Sequence, residues 1–285
     1  MNRTDIQPEG AFMKREHTIQ VEQNPVQRAP SAVLEKGAAV RQVDVSRVTQ
    51  SLVALAPEGA EFAPKQQVMA EQFRVLRTRV KALRKDFQIR TMLITSALPG
   101  EGKTTVAANL AGTLSQVEGM RILLVDFDLR HPNLHTVFGL ERGLRVPSAL
   151  AGEVPWQQGV YRVNRRLDVL FGFHPLADPD LLLQGQRLSK LLEEIRAAYD
   201  VVILDSAPLL AVADTQSLVP LVDCGLFVVN ADATPIHAAR EALAMLQDKV
   251  AGCIVNRVGH LKSEGYYRAS GYGYGYGYGQ KSTEN

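Results

Sequence analysis

The stretch Ala97-Leu-Pro-Gly-Glu-Gly-Lys-Thr104 decides the reading of this 285-residue chain. It follows a short apolar run, Met92-Leu-Ile-Thr95, which reads as a buried strand, and it opens a helix predicted from Thr104 to about Gln116. Strand, glycine-rich loop and helix in that order form a phosphate-binding loop. Gly100 and Gly102 let the backbone curl its N–H groups inward around phosphates. Lys103 would reach the β- and γ-phosphates, and Thr104 would offer its hydroxyl to Mg²⁺. Ala97 stands where the pattern usually has its first glycine. The expected nucleotide contacts are Pro99, Gly100, Glu101, Gly102, Lys103, Thr104 and Thr105.

Two further segments supply acid at predicted strand ends. Leu123-Leu-Val-Asp-Phe-Asp-Leu-Arg130 carries Asp126 and Asp128, and Val202-Ile-Leu-Asp-Ser-Ala-Pro208 carries Asp205. Carboxylates there, beside a phosphate loop, suit Mg²⁺, which takes oxygen ligands and keeps several waters. Other short apolar runs are Leu167–Phe171, Leu226–Val229 and Cys253–Val255. They alternate with helical spacing at Leu188, Leu191, Leu192 and Ile195 and over 238–247. Strands apolar along their whole length are buried on both faces. The expected fold class is therefore α/β, a doubly wound, mostly parallel sheet of the P-loop NTPase type, with ligands at the carboxyl ends of strands.

The flanks differ in kind. Residues 1–65 lack helix or strand periodicity, as in Gln23-Asn-Pro-Val-Gln-Arg-Ala-Pro30, and read as a disordered arm with one short helix near 45–55. Phe73, Leu76, Val80 and Leu83 mark an amphipathic helix over about 66–86, where the folded domain, 66–262, begins. The last segment, 263–285, holds six of the eight tyrosines: Tyr266, Tyr267, Tyr272, Tyr274, Tyr276 and Tyr278. It reads as a flexible tail ending in Gly271-Tyr-Gly-Tyr-Gly-Tyr-Gly-Tyr-Gly279. A nucleotide site joined to a rack of phenols points to transfer of phosphate from ATP to the tail. A net charge of +2 gives no electrostatic case for nucleic acid. Cys224 and Cys253 read as buried core thiols, and no run is long and apolar enough to span a bilayer. These features place the chain in the cytoplasm.

The three motifs with the tyrosine tail resemble the bacterial P-loop tyrosine kinases (BY-kinases) of exopolysaccharide synthesis and export, over residues 66 to 278. Ala97–Thr104 looks like their Walker A, Leu123–Arg130 their Walker A′ and Val202–Pro208 their Walker B. The Tyr-Gly repeat is especially similar to kinases linked with exosortase-type polysaccharide loci. The resemblance implies ATP and Mg²⁺ as cofactors, with Lys103 on phosphate and Thr104, Asp128 and Asp205 around the metal. It implies Asn256 at adenine, where a simple strand-end turn is the other reading, and tail tyrosines as phosphoacceptors. Asp126 is the first choice for the base that takes the phenol proton, and Asp128 the second. Arg130 either orients the phosphates or pairs with an acidic neighbour; His131 and His135 read as rim residues. Glu71, Arg74 and Arg77 match the family's Glu-x-x-Arg-x-x-Arg motif, which implies a homo-oligomeric ring; Arg79 stands where asparagine is common. No membrane adaptor is fused, so the implied partners are a separate membrane-embedded polysaccharide co-polymerase and a tyrosine phosphatase. The kinase would then lie peripheral to the inner membrane.

Two rival readings remain. A ParA/MinD-like ATPase switch shares the expected fold, but its usual lysine five residues before Lys103 is Leu98 here. Alternatively the chain is a scaffold whose Tyr/Gly tail is a binding module.

Overall fold

The computed structural model describes residues 41–56, 61–141, 143, 146–183 and 186–258. The strands are β1 (Arg41–Gln42), β2 (Thr91–Ser96), β3 (Ile122–Phe127), β4 (Val160–Asn164), β5 (Leu167–Leu170), β6 (Val201–Ser206), β7 (Cys224–Asn230) and β8 (Val250–Asn256). They make one sheet in the order β1-β4-β5-β3-β6-β2-β7-β8. Every pairing is parallel except β4 with β5. The helices are α1 (Pro64–Phe87), α2 (Lys103–Leu114), α3 (Leu134–Val137), α4 (Val146–Ala151), α5 (Asp180–Leu183), α6 (Gln186–Ala198), α7 (Asp214–Leu218) and α8 (Ile236–Met245).

Every residue of β2, β3 and β6 is buried, as continuous apolar runs require when both faces are covered. The side-chain alternation of a strand divides them between two cores. Ile122 and Leu124 of β3 join Phe73 and Val80 of α1 and Leu110 and Leu114 of α2 on one face. Leu123 and Val125 join Leu188, Leu191, Leu192 and Ile195 of α6 and Ala242 of α8 on the other. This is the doubly wound sheet that the alternation of elements predicts.

Part of the expected arm is folded. Residues 41–56 run along the domain, with Val43, Leu52, Val53 and Leu55 buried. The short helix expected near 45–55 is instead two 3₁₀ turns, Val45–Arg47 and Val53–Leu55. Asn109 of α2, fully buried, fixes this strap: it accepts from the Ala54 N–H at 3.1 Å and donates to the Ser51 carbonyl at 2.8 Å. Gly112 makes room for it, since a Cβ there would come within 2.9 Å of the Leu55 side chain. The strap escapes sequence reading because its apolar residues follow no period. β4 escapes it because Val-Tyr-Arg-Val-Asn mixes polar with apolar residues in the manner of a strand near the sheet edge.

The cysteines divide. Cys224 is buried, and burial together with the charge of Asp223 pushes its thiol up to about 12. Cys253, expected in the core, is exposed, because β8 is an edge strand. Among the described residues no helix is long and apolar enough to cross a membrane.

Leu52→Ala tests the strap. Leu52 is 1% exposed, so its truncation should cost ~2–5 kcal/mol in urea unfolding. Val68→Ala, on the exposed face of α1, should change stability by less than ~0.5 kcal/mol.

Candidate active site

The carboxyl ends of β2, β3 and β6 meet at the phosphate loop. Gly100 (φ 77°) and Gly102 (φ 95°) both take the left-handed backbone that glycine adopts without cost. At Gly102 a side chain is also excluded by space, because its Cβ would collide with the Asn256 amide. Asn256, at the end of β8, donates to the Glu101 carbonyl at 2.8 Å. The residue predicted at adenine thus binds the phosphate loop itself.

Glu101 is 2% exposed, and its carboxylate is taken up within the protein. One oxygen accepts from the Leu98 N–H at 2.6 Å, and the other takes the Thr234 hydroxyl and the Asn230 N–H. It pins the loop to the end of β7. Of the side chains expected to meet nucleotide, that of Glu101 is committed elsewhere and leaves its backbone.

Parallel register sets Asp126 of β3 directly beside Asp205 of β6. Asp126 is fully buried; its oxygens accept from the Asp128 N–H at 3.3 Å and the Leu134 N–H at 3.2 Å. Burial, then the charges of Asp205 and Asp128, raise its pKa well above the usual carboxylate range. Asp205 is 1% exposed, and among the described residues neither of its oxygens has a partner in hydrogen-bonding geometry, the Thr104 hydroxyl lying near but not aligned. Burial pushes it up to about 7, against the pull of the Lys103 charge and the nearby Thr104 hydroxyl. Asp128 lies nearer the surface and accepts from the His131 N–H at 3.0 Å; burial raises its pKa too, while Lys103 lowers it. Lys103 itself is buried at the start of α2.

These groups fit Mg²⁺ brought in with a nucleotide. A buried carboxylate with both oxygens unsatisfied is costly to leave alone, and a hydrated cation would satisfy it. Among the described residues no three His, Cys, Asp or Glu side chains converge as a metal cage.

Arg130 resolves to the salt-bridge reading. Its guanidinium grips buried Asp214 at 2.7 and 2.9 Å and donates to the Ala177 carbonyl at 3.2 Å. His135 has an unpartnered Nδ1, and burial lowers its pKa. On α1, Glu71 and Arg74 form an exposed ion pair at 2.8 Å. Arg77 turns to its own domain, donating to Gln116 Oε1 at 2.8 Å and the Thr113 carbonyl at 3.4 Å. The six tail tyrosines lie outside the described residues. The other two are core residues: Tyr161 is 5% exposed, and Tyr199, 3% exposed, donates to Asp168 at 2.9 Å. Sequence reasoning missed Asn230, Thr234 and Asp214. Each acts through a partner far along the chain, and no local pattern announces it.

Comparison with known proteins agrees with this geometry. An AAA domain family model matches residues 89–247. The tyrosine-protein kinase YwqD of Bacillus subtilis is 37% identical over 235 residues, covering 80% of this chain and 96% of the relative. The succinoglycan biosynthesis transport protein ExoP of Rhizobium meliloti is 33% identical over 196 residues, 66% of this chain; the chain spans only 25% of that longer relative. Among solved structures, the VpsO kinase domain is 30% identical with a TM-score of 0.60, over 68% of this chain and 98% of that one. The stretch matched by the family model spans the phosphate loop and all three aspartates, and with these relatives the chain belongs to the bacterial P-loop tyrosine kinases.

Proposed function

We propose that this kinase transfers the γ-phosphate of ATP to tyrosines of its own C-terminal cluster, Tyr266 to Tyr278, and thereby regulates exopolysaccharide polymerisation and export. The observation that carries the choice of acceptor is Asn256. It is bonded to the phosphate loop, and the described chain ends two residues beyond it. The tyrosine-bearing segment therefore sets out from the mouth of the site. Tyr266 and Tyr278 lie 10 and 22 residues past Asn256. Flexible chains of those lengths span ~16–28 Å, enough for their own site or a neighbour's.

Phosphoryl transfer depends on position and on neutralising charge. The loop N–H groups and Lys103 would hold the phosphates. Thr104, Asp128 and Asp205 would hold Mg²⁺, which when bound offsets charge on the phosphate oxygens. A phenol has a pKa near ~10, and a carboxylate whose own pKa is raised is a stronger base once ionised. Asp126 has the larger rise and Asp128 the better access, so each remains a candidate base. Loss of activity in Asp126→Asn but not Asp128→Asn, with ATP still bound, would give the role to Asp126.

The Glu71/Arg74 pair, exposed on α1, supports docking on an adjacent subunit, and a ring would let each tail feed the next site. In this reading the kinase sits at the inner membrane through a separate co-polymerase partner, and a tyrosine phosphatase reverses the modification; the likeness to the transport protein ExoP favours a partner in polysaccharide export. Nucleic acid is no part of this reading.

Two experiments test it. A Lys103→Met subunit with an intact tail is mixed with an active subunit lacking 263–285 and Mg-ATP. Stepwise gains of phosphate on the mutant's tail by intact mass are the expected result. ATP hydrolysis without tail phosphate in the intact wild-type protein as well as in the mixture would favour an ATPase switch, whereas phosphate in the wild type alone would assign the transfer to one chain.

The second follows from Asp205. Its folded pKa of about 7 exceeds the ordinary 3.8, so the folded state binds the proton more tightly. Its contribution to stability is complete below 3.8 and is lost as pH rises to about 7. Without nucleotide, Tm should fall by at least ~2 °C between pH 5 and 8, and Asp205→Asn should flatten the slope. Mg-ATP should restore the wild-type Tm at pH 8.

A further inference from the structure

The two edges of the sheet are finished differently. One ends in β1, two residues long and carrying Arg41. That is how edges are usually blunted. The other ends in β8, seven residues reading Val-Ala-Gly-Cys-Ile-Val-Asn, with no charge and no proline. Among the described residues β8 pairs only with β7, and the register shift between them lies at its start, beside Gly225 and Leu226. Val250 is 38% exposed and Val255 60%, and Cys253 is exposed beside them. An uncharged, β-branched strand with one side of its backbone unpaired is a template for another strand.

The chain continues from this strand for 27 residues beyond the described fold. Within them Gly271–Gly279 alternates tyrosine with glycine, the period of a β-strand. Extended, it would carry all four phenols on one face and only hydrogens on the other. No proline interrupts residues 259–285, so each N–H is able to donate to a ladder. Nor does any charge fall between Arg268 and Lys281. The 14 residues from Arg257 to Ser270 are sufficient to turn the chain back.

We propose that Gly271–Gly279 of the same chain docks antiparallel on the open edge of β8 as a ninth strand. Its glycines give the backbone close approach, and its phenols lie over Cys253 and Val255, in the aromatic to β-branched pairing that steadies antiparallel strands. The docked run is a resting position for the acceptor tyrosines beside the site. If, as the function proposed above requires, these tyrosines are phosphorylated, each gains a charge of about −1.5 to −2, and the apolar edge releases the strand.

Hydrogen exchange on the full chain tests the docking without appeal to catalysis. Gly273→Pro/Gly275→Pro/Gly277→Pro keeps every tyrosine but removes donors and the flat backbone. Alternate amides of 250–256 should exchange at least ~10-fold faster in this variant, with β2 and β3 unchanged. Equal exchange at β8 in both proteins overturns the proposal. Protection that persists on tenfold dilution assigns the strand to the same chain, and protection that fades assigns it to a second copy and overturns the assignment made here. After incubation with Mg-ATP, β8 should lose protection in proportion to the phosphate seen by mass. Phosphate gained with protection intact overturns the release. Absence of phosphate, with proline-sensitive protection before ATP, counts against the kinase reading and leaves the docking established.

Discussion

The charges of Asp126, Asp128, Asp205 and Lys103 act on one another at the carboxyl ends of β3, β6 and β2, and the rest of the site answers to that coupling. The register of the parallel sheet fixes it, because Asp126 and Asp205 are side-by-side partners on adjacent strands. Neither can turn toward water, since both strands are covered on both faces. The protein satisfies Asp126 with backbone N–H groups, screens Asp205 only in part with Lys103 and leaves its oxygens unmet. Burial first, and the neighbouring carboxylates after it, hold protons on these groups that ordinary aspartates would have lost.

The phosphate loop is held from three directions. Glu101 ties the loop to β7, Asn256 ties it to β8, and α2 runs from it into the core. The strap is bonded to the same helix through Asn109. Parts of the chain more than a hundred residues apart thus share one rigid element whose first residue is Lys103. The electrostatic strain at the strand ends is carried by a scaffold that has little freedom to relax it.

Much of this was legible in the sequence because it is local. Met92–Ile94, Leu123–Val125 and Val202–Leu204 are apolar at every position, as strands buried on both faces require, and the acids that follow the last two mark where the sheet ends. The phosphate loop announces its own backbone through Gly100 and Gly102. What stayed hidden depends on partners remote in sequence. Glu101 sits inside the most recognisable motif, yet its carboxylate serves Asn230 and Thr234. Arg130 follows Asp126 and Asp128 closely in the sequence, and only the fold selects Asp214 instead. Val43, Leu52, Val53 and Leu55 obey no periodicity because they fill gaps between helices whose spacing the sequence does not express.

The strap also sets an order of events during synthesis. Arg41 donates to the carbonyl of Gln158, 117 residues further along. At ~5–20 residues per second, translation leaves an interval of ~6–23 s between the two. Through that time the Arg41 end waits for the sheet edge at β4, whereas Leu52, Val53 and Leu55 wait only for α2, whose Asn109 and Gly112 receive them. The first described segment is therefore locked in two stages, its apolar side chains on α2 early and its Arg41 end only when the sheet edge arrives.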